Sequence, residues 1–430
     1  MSNKLDSIIT KNQLLLEKYP VAPYIFKWLF LSLIIGSLIG TASAGFLISL
    51  DWVTNFRETH VWIIIFLPVA GLLIGCLYHY WGKEVMPGNN LLIDTIHEPK
   101  QIIPFKMMPF VYLGTIATHL FGGSAGREGT ALQMAGAIAD QFCKPFELKT
   151  EERKTLIIAA IAAGFGSVFG TPLAGAIFGM EIFLLGRLKY NAIFPAFAAA
   201  IIADLVTKLW HAKHTIYKIN FVPELNFIHL GYAVLAGAIF GLCAATFSKT
   251  LHYVGGIFKS KIKFPPLRPF VGGVILVAII YLSGSTKFIG LGIPTIVDSF
   301  QQQSQITDFA IKMALTILTL AAGFKGGEVT PLFFIGATLG SALSFFIPLP
   351  IGLLAGMGFI AVFAGASNTP LACTIMAMEL FGSECGTYVT VACVVSYLLS
   401  GHTGIYGNQI IGEAKINRFA RDLNKKIGDL

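Results

Sequence analysis

Two glutamates stand in glycine-rich breaks of an otherwise apolar chain, and the breaks repeat. Gly126-Arg127-Glu128-Gly129-Thr130 runs on to Gly136-Ala137, and Gly326-Gly327-Glu328-Val329-Thr330 runs on to Gly336-Ala337; the offset is constant, since 328 − 128 = 200 and 336 − 136 = 200. A glycine-rich segment that opens a helix leaves backbone N–H groups without intrahelical partners, at the positive end of the helix dipole. Such an end binds small anions. An ionised carboxylate beside it competes with the anion for the same donors, and a proton removes its claim. Glu128 is therefore read as a gate whose protonation accompanies anion release. Glu328 is readable equally as a second proton-transfer group and as an ion-pair partner or N-terminal cap of the helix after it. Thr130 and Thr330 are candidate caps or hydroxyl donors to a bound ion, and Pro331 suits a first helical turn, where a missing N–H costs nothing. The blander reading of Glu128 is a pair with neighbouring Arg127 that stabilises a loop.

A second duplicated pair says what must position these groups. Thr171-Pro172-Leu173-Ala174 leads to Met180-Glu181-Ile182-Phe183, and Thr369-Pro370-Leu371-Ala372 leads to Met378-Glu379-Leu380-Phe381, at an offset of 370 − 172 = 198. A duplicated membrane unit with ionisable residues in interrupted helices points to a transporter whose site lies between the repeats; if the repeats are inverted, the two helix N-termini meet near the midplane.

The composition demands a membrane. Of 430 residues, 55% are hydrophobic and 13% charged, and the mean hydropathy is +0.71; in soluble domains charged residues run near a quarter. The chain is expected to be an all-α polytopic membrane protein. Apolar runs at 24–50, 61–80, 192–210, 228–247 and 270–282 approach the roughly 20 residues that cross a bilayer. Shorter runs at 107–121, 130–142, 156–169, 172–185, 310–324, 331–346, 352–364 and 370–381 are separated by Gly-, Pro- or Ser-containing breaks. Irregular backbone at that depth is tolerated only inside protein or along a cavity. The expected plan is a cytoplasmic segment 1–23, a transmembrane transport domain 24–410 with repeats of about 24–210 and 228–410, and a cytoplasmic tail 411–430, with no accessory domain.

The net charge of +8 sits in connecting segments. Lys144–Lys154, Lys259–Arg268 and Lys415–Lys426 read as cytoplasmic under the positive-inside rule, which puts both termini in the cytoplasm and argues against nucleic acid as a partner. Met1–Pro20 lacks the pattern of a removable signal peptide. The six cysteines are scattered, without metal or disulfide spacing, and no metal or cofactor is expected. The absence of Gly-x-Ser-x-Gly and His-Glu-x-x-His speaks against an intramembrane enzyme. A sodium-type cation site is disfavoured by N–H-rich helix starts beside a basic residue.

These residues carry a resemblance. Gly126-Arg127-Glu128-Gly129 looks like the signature loop of the CLC family of chloride channels and proton-coupled anion exchangers. Gly326-Gly327-Glu328-Val329-Thr330-Pro331 looks like its second anion-binding loop, Tyr406 in Gly404-Ile405-Tyr406-Gly407 resembles the tyrosine that caps the central ion, and Pro172-Leu173-Ala174-Gly175 fits the helix before the inner proton entry. The resemblance spans about Trp28 to Tyr406. It implies an inverted-repeat fold of tilted and broken helices, a homodimer of independent pores and a multi-pass location in a bacterial inner membrane. It makes Glu128 the external gating carboxylate, and Gly126, Arg127, Gly129, Gly327, Glu328, Val329, Thr330 and Tyr406 the anion-binding set.

The chain departs from the chloride pattern in ways that resemble the fluoride-exporting branch. Thr130 stands where chloride-selective members have proline, and Glu328 where they have an apolar residue. Asn89, in Pro87-Gly88-Asn89-Asn90-Leu91, aligns with the usual central serine, and Ile182 takes the place of the inner glutamate. Fluoride is small and strongly hydrated, so stripping its water demands several short hydrogen bonds; the Asn89 amide, the Thr330 and Tyr406 hydroxyls and loop N–H groups supply the types required. The expectation is fluoride export against proton entry, with chloride/proton exchange or a passive chloride channel as the alternatives. Glu181 and Glu379 read as structural helix-end anchors more readily than as relays. His119 reads as a hydrogen-bonded helix histidine before a proton shuttle, and Asp204 and Lys208 as an (i, i+4) pair.

Overall fold

The computed structural model describes residues 21–430, so residues 1–20 of the expected cytoplasmic segment 1–23 lie outside the described residues, and 21–23 belong to the first helix. The first half comprises α1 (Val21–Thr59), α2 (Leu67–Trp81), α3 (Asn89–His97), α4 (Met107–Leu120), α5 (Glu128–Asp140), α6 (Thr150–Phe169), α7 (Pro172–Glu181) and α8 (Ile193–Leu209). The second comprises α9 (Phe227–Lys261), α10 (Leu267–Ser283), α11 (Ile293–Asp298), α12 (Asp308–Ala322), α13 (Val329–Leu343), α14 (Ile351–Ser367), α15 (Pro370–Phe381) and α16 (Gly386–Leu399). The halves correspond helix for helix, from long first helix to closing pair, which is the duplication written in structure.

The copies run in opposite directions. α1 starts beside the first turn of α6, where Lys27 Nζ meets Glu152 Oε1 at 2.5 Å, and its last turns, through Thr54, Asn55 and Glu58, line a wide vestibule at the opposite face. α9 ends at the first of these faces: His252 bonds the Gly404 carbonyl at 2.9 Å, next to the Tyr406 loop. That loop is tied by Asn408 and Lys426 to Asp94 of α3, and Arg153 of α6 donates to the Gln101 carbonyl just past α3. The Lys144–Lys154 segment and residues 411–430 therefore share one face with the start of α1.

The repeats meet where α7 and α15 cross. Glu181, closing α7, accepts from the N–H groups of Leu371 (3.2 Å) and Ala372 (2.9 Å) in the first turn of α15. Glu379, near the end of α15, accepts from Leu173 (3.0 Å) and Ala174 (2.7 Å) in the first turn of α7. Each carboxylate satisfies the orphan donors of the other helix, whose N1 proline has none to offer. Both glutamates thus act as anchors. Glu379→Ala is expected to destabilise the detergent-solubilised protein by about 1–2 kcal/mol while leaving the proton-to-anion ratio unchanged; a changed ratio would instead assign Glu379 to the proton path.

Small residues bring helices together in the core. A Cβ on Gly336 of α13 would lie 2.0 Å from the Gly358 carbonyl oxygen of α14, and one on Gly340 would lie 2.1 Å from that of Leu354. Aromatic rings fill the space alongside, with Phe333–Phe359 and Phe165–Phe178 centroids 4.0 and 4.1 Å apart. Other phenylalanines, such as Phe26 and Phe227, remain on the outside.

Some elements differ from those expected. α3, α11 and α16 were not among the anticipated runs; α3 and α11 are 9 and 6 residues long and stand apart from any long apolar run. The run 61–80 breaks into a 3-10 turn, Val61–Phe66, and α2, and α9 continues past the run 228–247 to 35 residues. Among the described residues the helices are joined by one two-stranded parallel sheet, β1 (Leu184–Leu185) with β2 (Ile410–Ile411). The boundary expected at residue 410 falls inside β2, and the following residues fold back on the helices: Gly428 N–H donates to the Gly407 carbonyl at 2.7 Å.

Candidate functional site

The two glycine-rich breaks lie back to back. Gly126 N–H donates to the Gly327 carbonyl at 2.6 Å, and Gly327 N–H returns to the Gly126 carbonyl at 2.8 Å. Only glycine permits this approach: a Cβ on Gly126 would sit 2.9 Å from the Gly327 carbonyl oxygen, and one on Gly327 would sit 2.7 Å from the Gly129 nitrogen. The N–H groups of Gly126 and Gly327, expected to face an anion, are therefore committed to joining the loops. The donors left over are those of the helices that start here, α5 at Glu128 and α13 at Val329. Neither N-cap, Arg127 or Glu328, provides a side-chain cap.

The Glu128 carboxylate takes up that role from the opposing repeat. It is fully buried. Its Oε2 accepts from Thr330 N–H and from Arg127 N–H, both at 3.1 Å, and its Oε1 accepts from the Thr330 hydroxyl at 2.5 Å. The Arg127 guanidinium is more distant, with Nε 3.5 Å from Oε1. Two of the three bonds thus run to the start of α13 and the third to the arginine's backbone, not its guanidinium, and a negative oxygen rests on a helix N-terminus where a small anion is favoured. Thr130 does not cap α5; its hydroxyl pairs with that of Thr115 at 2.7 Å and fastens α5 to α4.

Cavities open on either side. Towards the end of α1 lies the vestibule, about 790 Å³, whose lining includes Arg57, Arg127, Lys213, His214 and Lys287 against Asp51 and Glu58. Towards the Tyr406 loop lies a cavity of about 150 Å³ reached by Asn89, Gln133, Lys325, Glu328 and Tyr406. Glu328 Oε2, the Tyr406 hydroxyl and Asn89 Oδ1 are buried there without hydrogen-bond partners among the described residues. Asn89 opens α3, and its amide nitrogen comes within 2.9 Å of where a Cβ on Gly129 would stand; Glu328 Oε2 is 3.6 Å from the same point. The missing side chain of Gly129 gives both groups room over the start of α5. The two repeated loops therefore turn their charges opposite ways, Arg127 to the vestibule and Glu328 to the smaller cavity beside Tyr406, with Glu128 between.

The residues outside this cluster also find places. His119 lies buried behind the first loop, its Nε2 3.4 Å from the Gly126 carbonyl oxygen. Ile182 is a core residue whose carbonyl accepts from Gln409 at 2.8 Å. Asp204 and Lys208 pair at 2.6 Å. Sequence reasoning passed over Lys325, Gln133, Arg57 and Lys312. Lys312 lies fully buried in α12, donates to the Phe288 and Gly290 carbonyls at 3.0 and 2.7 Å, and sits 5.2 Å from the Phe334 ring centroid. Arg57 donates to the His119 carbonyl at 2.7 Å. A lysine in the middle of an apolar run was the available signal, and Lys325 directly precedes the second break.

Inverted helical repeats in a membrane domain, joined at two helix starts around a buried carboxylate, define an ion-transport protein. The chain belongs to the CLC family: the profile described as voltage gated chloride channel matches residues 70–401. A chloride/fluoride channel protein of Pseudomonas syringae pv. tomato is 52% identical over 94% of this chain and 90% of its own length. The crystal structure of a CLC-type fluoride/proton antiporter superposes with a TM-score of 0.87 at 34% identity, covering 89% of this chain and 98% of that one. A slow cyanobacterial chloride/proton antiporter shares the fold at 20% identity, with a TM-score of 0.75 over 87% of this chain and 94% of its own.

Proposed function

We propose that this protein exports fluoride in exchange for protons, as a homodimer in a bacterial inner membrane, with both termini on the cytoplasmic face. The single observation that supports it most is the Glu128 carboxylate seated on the N–H and hydroxyl of Thr330. Those donors are the kind a small hydrated anion needs, and they can serve the carboxylate or the anion but not both at once. A proton on Glu128 weakens its hold and yields the donors. Anion and proton then move in exchange rather than together. The named activities of the relatives, chloride/fluoride channel and fluoride/proton antiporter, support the choice of ion. The short set of Asn89, Thr330 and Tyr406 donors supports fluoride over chloride on hydration grounds.

Glu328 faces the smaller cavity, the inner one in that orientation, and is the acidic side chain among its described lining residues, which supports a share in carrying protons from that side. The deciding experiment is efflux from fluoride-loaded liposomes with simultaneous pH recording. Fluoride loss coupled to proton entry is the expected result. Fluoride loss with no proton movement points to a passive channel, and chloride carried as fast as fluoride removes the choice of ion.

A further inference from the structure

We propose that Lys325 is the residue that draws the anion into the site from the inner face, a role that rests on the proposed fluoride export. Lys325 lies on the short link between α12 and the second glutamate loop and reaches the inner cavity of about 150 Å³. It is the one cationic side chain among the described residues lining that cavity. Its ammonium is not spent on a carboxylate or a carbonyl there. It lies 3.8 Å from the centroid of the Tyr78 ring of α2, a contact that holds a cation without neutralising it. The aliphatic stem is fixed independently, packed so closely on Gly114 of α4 that a Cβ there would fall 2.9 Å from Lys325 Cγ.

The electrostatics of the cavity require such a charge. Unpartnered polar atoms of Asn89, Glu328 and Tyr406 line this space, so an entering anion exchanges part of its hydration for protein groups as it nears the loops. On the way it passes the Glu328 carboxylate, which repels it whenever ionised. A cation fixed beside that cavity, against low-dielectric protein, lowers the barrier more than one in bulk water. Lys325 therefore offsets Glu328 and brings the anion within reach of the unpartnered Tyr406 hydroxyl. The vestibule on the other side has several cations. The inner side relies on one.

The test uses full-length protein reconstituted in liposomes with fluoride supplied at the inner face, comparing Lys325→Met, which keeps the stem on Gly114, with Lys325→Arg, which keeps the charge. Lys325→Met is expected to raise the fluoride concentration for half-maximal transport about tenfold, the size of one partly screened charge contact. Lys325→Arg is expected to stay within about threefold, and both are expected to retain the unaltered proton-to-fluoride ratio. Half-saturation unchanged in Lys325→Met overturns the proposal. So does an arginine variant as impaired as the methionine one, which would make the role one of packing, and so does a changed proton ratio, which would make it a proton carrier. If the unaltered protein carries chloride instead, the fluoride reading falls and the same comparison with chloride decides the role of Lys325.

Discussion

Proton uptake driven by an outward fluoride gradient is expected to fall to the lipid background in Glu128→Ala, while the anion still crosses. The carboxylate is the group seen to occupy the Thr330 donors, and alanine neither competes for them nor binds a proton. Hydrogen bonds to a charged group contribute about 1.5–3 kcal/mol, so an anion that no longer has to displace the carboxylate is expected to bind about 10–100 times more tightly. Isothermal titration with fluoride reads this gain, and the liposome assay reads the loss of coupling. Glu128→Gln, which keeps the shape but cannot gain a proton at neutral pH, is expected to lose proton uptake as well. Proton uptake that persists in both variants would place the coupling elsewhere and end the gate hypothesis.

The second large effect is expected from Thr330→Val. The substitution removes one hydroxyl at nearly constant volume and leaves the Thr330 N–H in place. That hydroxyl now donates to Glu128, and it is the side-chain donor an anion at the start of α13 would inherit. Losing one charge-assisted hydrogen bond is expected to raise half-saturation for fluoride about 10–100-fold. Chloride, larger and less strongly hydrated, should lose less, so the fluoride-to-chloride rate ratio should drop by about tenfold at least. Equal losses for both halides would show that the hydroxyl supports the fold of the site and does not select the ion.

Much of this site could be read before any fold was seen, because duplication left its mark in residue types as well as in spacing. Glu128 and Glu328 stood out by symmetry in an apolar background, and so did the Thr-Pro-Leu-Ala blocks that open α7 and α15. Helices with clear breaks, such as α4, α8 and α15, were placed within a few residues. The short helices were not, since α3 and α11 gain stability from the cavity and core they border rather than from an apolar run of their own. Tertiary pairing also decided what local pattern could not. Whether the N–H of Gly126 faces an ion or another loop depends on a partner about 200 residues away, as does the capping of α15 by Glu181. Lys325 went unremarked because a single basic residue beside a glycine pair has no periodicity to betray it.

The reciprocal bonds at the centre have an evolutionary consequence. Glu181 and Glu379 with the opposite helix starts are exchanges across an axis, each position answering its counterpart in the other half, and Gly126 with Gly327 ties the two loops within one residue of that symmetry. One half alone would be left with polar groups stranded in lipid, yet two separate copies of an ancestral half, inserted head-down and head-up, could have made the same bonds. The architecture is thus compatible with a forebear that assembled from two oppositely oriented chains before fusion, and with descendants whose halves were afterwards free to diverge everywhere except at the seats they share.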